Sequence, residues 1–262
     1  MNKPLLHFAH ANGFPAKVYS HLFHLLDDQF EIIHVDRLAH DSRFPVENGW
    51  RKQGDEIIEF LESTSDRPVL GVGHSFGASS TFIAAAKRPD LFSGIIMLDP
   101  VAMNGFKGYV AALLKKLHMT DRVTPARHSA NRRRHWPSLL SAEQYFKSKA
   151  LFRNFHEQCL QDFVNHGLEK TSGGYELYFK VEQEMAVYRN APTHFDRLKG
   201  KLKSVPGIII NADKTNVAFD GTVRRIARQQ NFELKTIEGT HMFPLEQPGL
   251  TAQLIKQFAG VC

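Results

Sequence analysis

The chain has 262 residues, 42% hydrophobic and 23% charged, the proportions of a soluble globular protein long enough to bury a sizeable core. No run approaches the ~18 apolar residues of a membrane span, and two cysteines, Cys159 and Cys262, give no disulfide framework. The net charge of +6 gathers partly at Lys115, Lys116, Arg122, Arg127 and Arg132–Arg134, but no aromatic interleaving accompanies it, so the cluster reads as a solvated helical face rather than a nucleic-acid site.

In chain order, the first apolar run, Leu5–Ala9, reads as a strand. It is too short for the core of a signal peptide and is interrupted by His7, His10 and Asn12, so a cytoplasmic protein is expected. It leads into His10-Ala11-Asn12-Gly13-Phe14-Pro15, a polar turn where Gly13 permits backbone angles closed to most residues. A helical pattern over 16–28 precedes a second strand, Glu31–Val35, and a helix over 50–62 precedes a third, Pro68–Val72. Gly73-His74-Ser75-Phe76-Gly77 follows at once, then a small, apolar helical stretch over 77–87. A fourth strand, Gly94–Leu98, runs into Asp99-Pro100.

Between 101 and 203 the rhythm breaks into amphipathic patterns at 105–118, 141–157 and 181–190, with a short extended segment at 175–179. It resumes as strand 207–210, helix 218–230, strand 233–237 and helix 247–258. Such alternation predicts an α/β fold, a doubly wound and mainly parallel sheet of about six strands. Residues 1–100 and 204–262 would form its core, and 101–203 an inserted, mainly helical cap.

G-x-S-x-G between a strand and a small-residue helix is the setting of a nucleophile elbow, with Ser75 at its apex and the Phe76 N–H aimed at an oxyanion beside it. A serine hydroxyl needs a general base, and His241 follows the last strand on the rim that carries Ser75. The Asn12 N–H in the first turn is the candidate second oxyanion donor.

Together His10-Ala11-Asn12-Gly13, Gly73-His74-Ser75-Phe76-Gly77 and Gly239-Thr240-His241 resemble the motifs of α/β-hydrolases, along the whole chain. Arg88-Pro89-Asp90-Leu91-Phe92 and Leu98-Asp99-Pro100 resemble the same superfamily, and segments 132–138 and 242–246 resemble a bacterial group of hydrolases. The resemblance implies a serine hydrolase that cleaves carboxylic esters through an acyl-enzyme on Ser75, with a small-molecule ester as its partner and no dissociable cofactor. Lactone, thioester or carbon–carbon hydrolysis by the same residues is the alternative, as is a non-catalytic binding protein. The family's opening hairpin has no counterpart here, which leaves six strands in the order 2-1-3-4-5-6.

The acid that orients the histidine normally follows the fifth strand, where this chain reads Asn211-Ala212-Asp213-Lys214-Thr215-Asn216-Val217. Thr215 or Asn216 falls at that position. Three readings stay open: Asp99 as the acid from the preceding strand, Asp213 as the acid, or a histidine oriented by Asn216 or by water. Asp36, His40 and Asp41 match no metal-site spacing, and the resemblance implies no metal. Phe106, Tyr109, Phe146, Phe152, Phe155 and Phe163 either form the cap's own core or line an acyl pocket. Oligomeric state and physiological substrate leave no trace in the sequence.

Overall fold

A computed structural model describes residues 3–101, 129, 132–193, 195–215, 217 and 220–260. Its strands are β1 (Leu5–Ala9), β2 (Glu31–Ile33), β3 (Val69–His74), β4 (Phe92–Leu98), β5 (His135–Trp136), β6 (Leu168–Thr171), β7 (Gly174–Leu177), β8 (Gly207–Ala212) and β9 (Glu233–Ile237). The α-helices are α1 (Ser20–His24), α2 (Arg51–Thr64), α3 (Phe76–Lys87), α4 (Leu139–Lys147), α5 (Glu157–His166), α6 (Val181–Arg189), α7 (Asp220–Gln230), α8 (Phe243–Glu246) and α9 (Pro248–Ala259).

Six strands form one sheet in the order β2-β1-β3-β4-β8-β9, every neighbouring pair parallel, which is the expected order 2-1-3-4-5-6. Alternate residues of the inner strands face opposite layers. Leu6, Phe8, Val72, Ile96 and Ile210 pack with Leu22, Ile255 and Phe258, while Leu5, Ala9, Ile95, Met97 and Ile209 pack with Ile57, Phe82 and Ile226. Burial on both faces explains why β1, β3 and β8 are mainly apolar rather than alternating. The edge strands differ: β2 is short, and β9 leaves Glu233 and Lys235 exposed, which discourages pairing with another chain.

Register brings one rim together. His74 lies opposite Leu98, Leu98 opposite Ile210, and Ala212 opposite Ile237. Residues just past β3, β4, β8 and β9 therefore leave the sheet side by side, and these are Ser75, Asp99, Asp213–Thr215 and the loop to His241.

Several expectations need correction. The pattern over 16–28 is not one helix: a 3-10 turn, Ala16–Tyr19, hands over to a five-residue α1 because Tyr19, at φ −94° and ψ 16°, leaves helical geometry. The second strand stops at Ile33 rather than Val35. The pattern over 141–157 divides into α4, a 3-10 turn at Ala150–Phe152 and α5, since Phe152 folds inward to meet Phe146 and Phe163. The extended segment near 175–179 is the middle strand of an antiparallel sheet ordered β5-β7-β6. Its partners carry too few apolar residues to announce themselves. The pattern at 105–118 lies outside the described residues.

Candidate active site

The turn after β3 is built by close approach. A Cβ on Gly73 would sit 2.5 Å from the Ala78 nitrogen, and one on Gly77 would sit 2.1 Å from the Ala9 carbonyl oxygen. Only glycine lets α3 pack this tightly on its own strand and on β1. Ser75 takes φ 56° and ψ −114°, a conformation that costs a non-glycine residue about 1–3 kcal/mol. Its N–H donates to the Leu98 carbonyl at 2.9 Å, which ties the strained residue to the neighbouring strand.

His241 reaches this apex from the loop after β9. The Ser75 hydroxyl donates to His241 Nε2 at 2.9 Å, and His241 Nδ1–H donates to Asp99 Oδ2 at 2.6 Å. Asp99 is fully buried and itself adopts a positive φ of 43°. Its Oδ1 accepts the Ala212 N–H at 3.1 Å, and its Oδ2 accepts the Thr215 hydroxyl. Asp213 is engaged elsewhere, its carboxylate accepting the Gly239 N–H at 2.9 Å. Asn216 lies outside the described residues.

The chain matches the alpha/beta hydrolase family over residues 8–254. It belongs to that family. The 2-(acetamidomethylene)succinate hydrolase of Mesorhizobium japonicum is 32% identical over 98 residues, which span 37% of this chain and 35% of that protein. Peroxisomal membrane protein LPX1 of Saccharomyces cerevisiae is 24% identical over 216 residues, 74% of this chain and 54% of the relative. The matches thus cover from about a third to about half of these curated relatives. Among solved structures, an E-2-(acetamidomethylene)succinate hydrolase superposes with a TM-score of 0.78 at 20% identity, covering 99% of this chain and 92% of that one, a likeness of fold.

For this alpha/beta hydrolase chain, the remaining site residues surround a single cavity of about 810 Å³ that touches Ser75, His241, Asn12 and Phe76. Phe76 is the first residue of α3, where helix geometry gives its N–H no intrahelical acceptor. The Asn12 side chain donates to the Glu184 carbonyl at 3.1 Å, which fixes the turn carrying its backbone. Trp50, Phe76, Val101 and Val187 supply apolar wall, while Asn154, Lys214 and Glu246 supply a polar one. Phe146, Phe152, Phe155 and Phe163 do not line it; their rings pack together, with Phe146 and Phe163 centroids 4.8 Å apart. Phe106 and Tyr109 fall outside the described residues. The side chains discounted above as metal ligands have protein partners: Asp36 accepts the Tyr178 hydroxyl, Asp41 pairs with Arg43, and His40 accepts the Lys180 N–H.

Sequence reasoning passed over two residues of this neighbourhood, His74 and Tyr19, and gave a third, Thr215, no partner. Thr215, one of the two residues that fall at the family's usual acid position, donates to Asp99. His74 and Tyr19, both fully buried, hydrogen-bond one another at 2.7 Å beneath the elbow. The signal for His74 was present, a histidine at the open position of G-x-S-x-G, but that motif assigns the position no task.

Proposed function

We propose that this protein is a serine hydrolase that cleaves carboxylic esters through an acyl-enzyme on Ser75. The observation that carries the reading is the unbroken line of hydrogen bonds from Ser75 through His241 to Asp99. Ser75 Oγ attacks the ester carbonyl carbon while His241 Nε2 takes its proton. Asp99 holds the imidazole as the Nδ1–H tautomer and stabilises the imidazolium that forms. The Asn12 and Phe76 N–H groups receive the oxyanion. His241 then protonates the leaving alcohol, and activates the water that releases the acid.

The cavity supports an uncharged acyl group of small or medium size, since much of its wall is apolar. Ala150, Leu151, Asn154, Val187, Tyr188 and Ala191 all come from 101–203, which supports reading that segment as a cap over the site. A succinate-type substrate such as that named for the Mesorhizobium relative carries two carboxylates. Among the described residues of the cavity wall Lys214 is the single lysine or arginine, which disfavours carrying that substrate over.

Turnover of p-nitrophenyl acetate, butyrate and octanoate, with fluorophosphonate labelling alongside, tests the proposal. Wild type is expected to turn over and label, and Ser75→Ala to lose at least about 10³-fold in kcat and all labelling. Silence from folded wild type in both assays would leave a non-catalytic binding protein.

A further inference from the structure

We propose that His74 is a positioning residue for His241, and that together with Tyr19 it ties the turn bearing Asn12 to the general base. Its kinetic consequence rests on the serine-hydrolase reading above. The Tyr19 hydroxyl donates to His74 Nδ1 at 2.7 Å, so the ring proton sits on Nε2 and donates to the His241 carbonyl at 2.9 Å. The Tyr19 oxygen also accepts the Ala11 N–H at 3.3 Å. One line of hydrogen bonds thus joins the residue before Asn12, the 3-10 turn, the end of β3 and the loop after β9.

Each link constrains something the chemistry needs. The flanking residues of the His241 loop are held from elsewhere: Thr240 bonds Glu246 through both its N–H and its hydroxyl, and the Met242 N–H donates to the Thr240 hydroxyl. The His241 carbonyl is held by His74. With that peptide fixed, the imidazole meets Ser75 and Asp99 by choosing two side-chain torsions rather than by moving its backbone as well. The His74 ring stands 5.1 Å from the His241 ring, centroid to centroid, tilted by 44°, so the two rings are neighbours as well as hydrogen-bonded through the His241 carbonyl. His74 is fully buried, and burial lowers its pKa well below the ordinary value, so Nδ1 stays an acceptor. The elbow itself asks nothing of this position, so a histidine there, with both nitrogens committed, needs a reason of its own.

His74→Leu, His74→Gln and Tyr19→Phe test the proposal with two readouts: kcat and KM on p-nitrophenyl butyrate, and the low-field proton NMR signal of His241 Nδ1–H. His74→Leu is expected to lower kcat about 10- to 100-fold with KM changed by less than about twofold, because the reacting groups are misplaced rather than the ester unbound. His74→Gln should recover most of the loss, its amide N–H reaching the same carbonyl, and Tyr19→Phe should fall between. The proton signal should vanish or broaden in His74→Leu and persist in His74→Gln. It reports on the imidazole whether or not an ester is cleaved, so an inert wild type would sink the hydrolase reading while the signal still decided the role of His74. Unchanged kcat with an unchanged signal in folded His74→Leu overturns the proposal. Should that variant not fold, the same result in Tyr19→Phe does so.

Discussion

The Asp99 carboxylate meets three donors, each from a different part of the chain: the Ala212 N–H, the Thr215 hydroxyl and His241 Nδ1–H. Replacing it with Asn removes the acceptor that selects the Nδ1–H tautomer and presents an amide N–H to the same nitrogen. By the serine-protease precedent, Asp99→Asn is expected to lower kcat by about 10³- to 10⁴-fold, while Asp213→Asn stays near wild type. Steady-state kinetics on both variants checks this, and the reverse pattern would move the role to Asp213. Thr215, in the loop where relatives carry an acid, donates its hydroxyl to a carboxylate arriving from the neighbouring strand.

At the scale of elements, the elbow depends on how closely α3 approaches β1. Gly77→Ala would force a methyl to 2.1 Å from the Ala9 carbonyl oxygen, a backbone contact that no side-chain rotation relieves. Such overpacking typically costs about 1–3 kcal/mol and sometimes more, so a thermal midpoint lower by about 5–10 °C is expected, with Ser75 displaced and turnover reduced. Differential scanning fluorimetry with an ester assay reads both effects. Gly221→Ala, where a Cβ meets nothing within 4 Å, serves as the tolerant control. The first helical region teaches a related lesson. Its apolar spacing is that of a helix, yet Tyr19 breaks it so that a hydroxyl can sit between Ala11 and His74.

Across the whole molecule, buried histidines set the response to acid. Burial lowers His7 to about 3 and His10 and His40 to about 4, and lowers His74 as well. Unfolded, each would titrate near 6.5, so as pH falls from about 6.5 to about 4 the unfolded chain takes up protons that the folded one refuses. Stability from these groups is complete above 6.5 and is lost through that window. A fully buried ring such as His7 or His10 contributes at most about 1.4 kcal/mol per pH unit. Glu56, raised to about 7 by burial, has the opposite sign, since its folded form binds a proton first; it offsets about one histidine, and Glu184 is raised in the same direction. The histidines are in the majority, so the urea midpoint is expected to drop between pH 7.5 and 5. Both His7 ring nitrogens lack hydrogen-bond partners among the described residues, so His7→Phe should flatten that drop. A midpoint that rises on acidification would contradict the balance.

Much of this protein is written in short-range patterns. Two-sided apolar runs alternating with helical spacing specify a parallel α/β sheet, because each strand must bury both faces and each helix one, while its strand order came from the resemblance to the family. The elbow is equally local: two glycines around Ser75 state where helix, strand and neighbour come too close for a side chain. The turn at Asn12, proposed to receive the oxyanion, and the loop carrying His241 follow from their positions after the first and last core strands. The acid is different. Asp99, Asp213 and Asn216 all stood open in the sequence, since which oxygen faces His241 depends on a contact between residues 142 positions apart. The parallel register of β3, β4 and β8 sets that distance. The small β5-β7-β6 sheet, the Tyr19–His74 line and the cavity wall are tertiary for the same reason. Most of their partners lie far apart in the chain, and no local period encodes which side chain a distant loop will bring.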